Sequence, residues 1–181
     1  MMEKNGNIFS KSLDQKIIKN KNMAKLLEIV KHPNEILRKV SREISLEEIK
    51  KPEFIELMKD MEKTMIEKDG AGLAAPQIGK NIRLIVLNHE GKNIIMINPQ
   101  ITKKSWAKKI ELEGCLSVVD DQGEIYYEKV ARHKKVSCMY FDKEGNKKKI
   151  EAENLLSRAI QHEIDHLDGI LFIDKIKGKS N

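Results

Sequence analysis

The hexapeptide Gln161-His162-Glu163-Ile164-Asp165-His166 restricts the fold more than any other stretch of the chain. Histidines four residues apart lie on one face of a helix, one turn above the other. Imidazoles stacked in this way can hold one divalent ion. Glu163 then stands beside it as a candidate general base for the proton of a bound water. Around the motif, Leu155, Leu156, Ala159, Ile160, Glu163 and Leu167 fall on adjoining helical positions, with Asn154 as an N-cap and Gly169 as a stop. The histidines thus border the buried stripe, where an ion is shielded. The same spacing also occurs on ordinary polar helix faces, so the rest of the chain has to supply a partner ligand.

A hydrolytic metal centre takes three protein ligands and keeps one position open for water. One class built on this motif continues as H-E-x-x-H-x-x-G-x-x-H. Here the match runs to Gly169 and ends in Phe172, which cannot ligate. Another class uses a later Glu, but the 15 residues after His166 contain no Glu, His or Cys. An upstream donor is therefore favoured. Cys115 follows a flexible glycine at the end of an expected strand, and its thiolate can be aimed at the helix. Cys138 alternates with Val136 and Tyr140 and reads as a core cysteine. His32, His89 and His133 remain open as donors, the last two with surface roles as the simpler account. A cysteine with two histidines suits zinc, iron(II) or nickel equally well.

The expected extent is one domain over residues 23–181, long enough for a real core without staples. Residues 1–22 are Lys/Asn-rich and polar and read as a disordered extension, with Met23 as an alternative start. A transit peptide is disfavoured because Arg is absent there and two acids are present. Two cysteines make no disulfide framework, which fits a cytoplasmic setting. No apolar run approaches the roughly 20 residues of a membrane span. Net charge is +6, but residues 1–25 carry +4 of it. The body is close to balanced, and only 4% of residues are aromatic, so no direct specific nucleic-acid binding is expected.

Elsewhere the chain reads in a mixed order. Ile36, Leu37 and Val40 suggest a short helical turn. Pro52 opens a helix to Lys68 with a Met-rich core stripe. Residues 70–79, Gly-Ala-Gly-Leu-Ala-Ala-Pro-Gln-Ile-Gly, form a loop of small residues that lets a ligand approach the backbone. Residues 82–87 and 94–97 read as strands joined by a turn, Pro99 ends the second, and a further strand lies within 101–113. Residues 130–141 alternate as one strand, followed by a turn at 142–146 and a return strand to Ala152.

Three motifs in order, GAGLAAPQIG at 70–79, EGCLSV at 113–118 and QHEIDHLDG at 161–169, closely resemble the peptide deformylase family. The similarity extends over about residues 25–176. It implies an α+β fold, with antiparallel β-sheets packed around a central metal-binding helix and one further N-terminal helix. It implies a hydrolase that removes the N-formyl group from N-formylmethionyl peptides and releases formate. The implied cofactor is one Fe2+ per chain, with Zn2+ or Ni2+ as replacements, held by Cys115, His162 and His166. Glu163 moves the proton, while the Gln77 side chain and the Leu116 N–H bind the oxyanion. The backbone of Gly72 and Leu73 receives the peptide as an added strand, and Ala159 lies by an apolar methionine pocket. Glu113, counted with the substrate-site residues, pairs with Arg132 and braces the cysteine segment. Arg158 is expected at the pocket rim.

Two stretches depart from the family pattern. Residues 119–131 are longer and more acidic than usual, and Tyr126 or Tyr127 there is a candidate substrate contact. The tail after Asp174 is short for docking to the ribosome, with the basic N-terminal extension as an alternative contact. Two other readings are a metallopeptidase, disfavoured by the missing downstream ligand, and a non-catalytic, metal-stabilised RNA- or ribosome-binding protein.

Overall fold

A computed structural model describes residues 24–176; the extension expected over 1–22 lies outside the described residues. Three helices, one of them a single turn, and two antiparallel sheets carry the architecture. Helix α1 is a single turn, Leu46–Ile49, closed at its start by a capping box between Ser45 and Glu48. Helix α2 spans Pro52–Glu67, with proline at its first turn. Helix α3 spans Asn154–Leu167 and carries both motif histidines. The strands are β1 (Gly72–Ala74), β2 (Leu84–His89), β3 (Lys92–Lys104), β4 (Lys108–Val119), β5 (Ile125–His133), β6 (Lys135–Phe141) and β7 (Lys147–Glu153). Five of them form one sheet in the order β1-β2-β3-β6-β7, and β4 and β5 form a second. All named pairs are antiparallel, as the α+β reading implies.

Strand β2 shows how the layers are built. Its side chains alternate between faces. Leu84 and Val86 meet Phe54, Met58, Met61 and Met65 of α2. Ile85 and Leu87 meet Leu156, Ile160, Ile164 and Leu167 of α3. The larger sheet is therefore covered on both faces, and α3 lies between it and the β4–β5 pair. A third cluster, holding Leu37, Cys115, Val118, Val130, Leu171 and Phe172, fills the other side of α3. Met61 has no exposed surface. Met61→Ala is expected to lower unfolding free energy by about 2–5 kcal/mol in urea titration, because a core site collapses only in part around a lost side chain.

The strand boundaries differ from expectation at two places. Pro99 does not end β3. The strand continues to Lys104, with irregular register between Ile97 and Gln100. Asn98 takes a left-handed φ of 51° there, and its side chain exchanges hydrogen bonds with Ile44 N at 2.9 Å and Ile44 O at 2.8 Å. A bulge leaves a residue without a ladder partner, so a proline fits. Residues 130–141 are not one strand either. The chain bends at Lys134, leaving β5 in the small sheet and β6 in the large one. Val130 and Arg132 are buried before the bend and Val136, Ser137 and Cys138 after it, with Lys134 exposed between them, so the alternation is interrupted at the bend.

At the start of α3, Asn154 has a left-handed φ of 51° and is the first helical residue; no side-chain cap is formed. Leu155 is exposed and not part of the buried stripe. The stop at Gly169 is as expected. Its φ is 74°, and Ile170 N donates to Asp165 O at 2.9 Å in a Schellman-type closure. A Cβ on Gly169 would lie 2.5 Å from Arg38 O, so only glycine fits.

Candidate metal and catalytic site

Helix α3 presents His162 and His166 toward β4, where Cys115 points back at them. One ligand atom from each of the three lies within 4.8 Å of the others, and all three residues are buried. Cys115 Sγ is 3.2 Å from His166 Nε2. The imidazole rings of His162 and His166 meet edge to face with centroids 4.9 Å apart. Among the described residues this is the group of metal-ligating side chains that converges. His133 is elsewhere, with Nδ1 2.6 Å from Ser105 O, and His89 sits in the β2–β3 turn region. Cys138 is a buried core residue, and burial pushes its thiol up to about 11.

The set fits a divalent ion. A soft thiolate with two imidazoles suits zinc-like and iron-like ions. The second nitrogen of His162 is fixed from behind, as is usual for ligating histidines, whereas Nδ1 of His166 has no hydrogen-bond partner. The His162 Nδ1–H donates to Glu113 Oε1 at 2.6 Å, leaving Nε2 for the cluster. Glu113 is itself held by two buried guanidinium groups. Arg132 donates from Nη2 at 2.5 Å and Nε at 3.1 Å, and Arg158 from Nη1 at 2.8 Å. Burial opposes the charge on Glu113, but bonds from His162 and Arg132 outweigh it and hold the carboxyl well below its ordinary range. Burial likewise disfavours a charged His162, yet Cys115 and Glu113 raise its pKa; burial and the neighbouring His162 lower that of His166.

Glu163 is buried beside this cluster, and its Oε2 has no hydrogen-bond partner. Burial pushes its carboxyl up to about 7. That is where a group can both take and return a proton near neutrality. Gly72 of the edge strand β1 lies against it. A Cβ at Gly72 would be 2.5 Å from Glu163 Oε1, so a side chain there would displace the carboxylate.

Gln77 occupies a 3-10 turn, Ala75–Ile78, directly after β1. Its Oε1 accepts from Ala74 N at 2.8 Å, which pins the amide. Its Nε2 then reaches Cys115 Sγ at 3.4 Å and Ser117 Oγ at 3.2 Å. Pro76 and the small residues before it explain the stiff turn that aims this donor. Gly72, Glu113, Cys115, Leu116, Ala159, His162 and Glu163 line one cavity of about 240 Å³. Leu73, by contrast, is fully buried in the core beneath β1. Tyr127 reaches the cavity and covers Gly114, whereas Tyr126 turns inward and stacks on Phe172 at 6.2 Å.

Arg158 lines the cavity, as expected, but its guanidinium is also a brace behind Glu113. It is buried, and it donates to Lys109 O at 2.9 Å and Val130 O at 3.1 Å as well as to Glu113. Its role as a brace was hidden because the carbonyls and carboxylates it meets come from β4 and β5. Phe172, rejected above as a ligand, stacks on His162 with centroids 6.2 Å apart. Its place ten residues after His162 was the only signal.

A family model described as polypeptide deformylase matches residues 26–181. Peptide deformylase 1 of Clostridium acetobutylicum is 43% identical over 148 residues, covering 82% of this chain and 93% of that protein. The peptide deformylase of Thermoanaerobacter pseudethanolicus is also 43% identical, over 78% of this chain and 84% of its own. Among solved structures, a peptide deformylase from Synechococcus elongatus in complex with actinonin superposes with a TM-score of 0.77 at 35% identity, over 84% of this chain and 80% of that one. The Thermotoga maritima enzyme gives 0.78 at 30% identity, over 84% and 98%. The match covers the strand with the cysteine, the turn with the glutamine and the helix with both histidines, and so the chain belongs to the polypeptide deformylase family.

Proposed function

We propose that Cys115, His162 and His166 hold the divalent ion of this deformylase, and that Glu163 is its proton carrier. The enzyme is a metal-dependent hydrolase that removes the N-formyl group from new polypeptides. The observation that carries the residue assignment is the unpartnered, buried Oε2 of Glu163 next to the Cys/His/His cluster. Fe2+ is the proposed ion, with Zn2+ and Ni2+ as replacements; the thiolate in the donor set supports all three.

When bound, the ion supplies a Lewis acid and lowers the pKa of water into the neutral range. The residues around it have separate tasks. Glu163 takes the proton of the attacking water and delivers it to the leaving amine, so the carbonyl carbon gains a C–O bond, the C–N bond breaks, and formate departs. Gln77 Nε2 and the Leu116 N–H donate to the oxygen that becomes negative. Gln77 is suited to this because its amide is already pinned by Ala74 N. The peptide lies along the open edge of β1 at Gly72 and Leu73, as an added strand. Its methionine side chain enters beside Ala159, with Glu113 behind the wall. Residues 23–181 are taken as the catalytic domain.

The proposed setting is the cytoplasm. Among the described residues, no helix is long and apolar enough to cross a membrane. N-formylmethionyl peptides are the proposed substrates; docking to the ribosome would need a surface outside the cleft.

The test is formate release from formyl-Met-Ala-Ser by anaerobically prepared, Fe2+-loaded protein. Formate is expected in step with free amine, while the unformylated peptide stays intact. Cleavage of internal peptide bonds instead would favour a metallopeptidase. Neither product from metal-loaded protein would overturn the reading.

A further inference from the structure

The charge network behind His162 does not end at Glu113. Arg132 uses two nitrogens on Glu113 and turns the third, Nη1, to Asp165. Asp165 sits on α3 between the two histidines in sequence but points away from their cleft. Its oxygens take Lys175 Nζ at 2.7 Å and 2.6 Å. Lys175 belongs to the 3-10 turn Phe172–Lys175, and the next residue, Ile176, bridges to Val130 of β5. The same turn carries Phe172, which stacks on the His162 ring.

One C-terminal turn therefore reaches one imidazole twice. Phe172 touches its face. Lys175 reaches its Nδ1 through Asp165, Arg132 and Glu113, a line of alternating charges. The lysine end of that line opens into a cavity of about 760 Å³ lined by Gln161, Ile164, Asp165 and Asp168 of α3. The cleft beside the metal cluster is lined by Ala159, His162 and Glu163, so the two cavities flank opposite faces of the helix. The line runs across the molecule from solvent to ligand.

We propose that Asp165 and Lys175 are positioning residues for the metal site, and that the C-terminal turn is the brace that fixes His162. The physical reason is the seating of Arg132. Its guanidinium makes a two-pronged contact with Glu113 and one contact with Asp165. With Lys175 in place, Asp165 is balanced by two cations and Arg132 stays seated on Glu113. Without Lys175, Asp165 loses the contact that holds its carboxylate in place, and Nη1 of Arg132 loses a fixed anchor. The fork on Glu113 loosens, and so does the acceptor that fixes the His162 ring. Partners of this kind behind a ligand change metal affinity by about 10–100-fold when removed directly. Lys175 acts one pair further out, so its effect is smaller.

The inference rests on His162 being a ligand, and the experiment separates the two claims. The full chain is freed of metal, and Zn2+ alone is titrated against a competing chelator for the parent, Lys175→Met, Lys175→Gln, Lys175→Arg and Asp165→Asn. Lys175 is about a third exposed, so its neutral variants leave the core intact. The unfolding midpoint of each metal-free protein is the second readout. Asp165→Asn is expected to weaken Zn2+ binding by about 10-fold, and the two neutral Lys175 variants by about 3-fold. Lys175→Arg should return within twofold of the parent. Neutral Lys175 variants that bind Zn2+ as the parent does would overturn the proposal, whatever Asp165→Asn does. So would a lowered midpoint with unchanged affinity, which is a folding role alone. A parent that binds no stoichiometric Zn2+ overturns the ligand assignment itself, and this proposal with it.

Discussion

Glu163→Gln is expected to lower kcat/KM for a formyl-Met peptide by about 10²–10⁴-fold, the range spanned by a positioned acid–base group. The metal content should stay at the parent's level. Glutamine keeps the size and the buried amide-like shape but cannot carry the proton. Glu163 is also not part of the Cys115, His162 and His166 set. The loss should appear mainly in kcat, because the peptide edge at Gly72 and the cavity wall at Ala159 are unchanged. The measurement is steady-state formate release with metal analysis on the same sample. A variant with parent activity would show that water, or another group, carries the proton. A variant that loses its ion would place Glu163 in the ligand set instead.

Cys115→Ala should have the largest effect of any single change. It removes the one sulfur from the cluster, leaving two imidazoles and a vacant third corner. Stoichiometric Fe2+ and Zn2+ binding is expected to be lost on dialysis, and formate release with it. The same sulfur accepts from Ser117 N at 3.4 Å and faces Gln77 Nε2 at the same distance, so the oxyanion donor loses one of its contacts too. Cys138→Ala is the control. That thiol lies in the core between the large sheet and α3, and its raised pKa keeps it protonated. Its removal should cost stability but leave metal content and turnover per folded molecule unchanged. Equal metal loss in both variants would point to unfolding, not ligation.

The site was more legible in the sequence than the sheets were. His162 and His166 show themselves by helical spacing, and Cys115 by the glycine before it and the EGCLSV motif around it. Gln77 was carried by the motif around it, and the structure adds the reason its amide faces the thiol, the bond from Ala74 N. What spacing could not show is anything assembled across elements. Arg158 is legible as a pocket residue but not as a brace, because a helix pattern is blind to Glu113, Val130 O and Lys109 O gathering around its guanidinium. The Asp165–Lys175 pair and the Phe172 stack were invisible for the same reason. In the sheets, Pro99 was misread because a bulge excuses the missing N–H. The bend at Lys134 is unmarked in the sequence because the buried Val130, Arg132, Val136 and Cys138 stand an even number of residues apart across it.

X-ray absorption at the metal edge of anaerobically prepared, Fe2+-loaded protein tests the central assignment most directly. One sulfur and two imidazole nitrogens in the ligand sphere are predicted, with the sulfur signal lost in any metal retained by Cys115→Ala. A sphere of nitrogen and oxygen alone, in protein that releases formate, would contradict it.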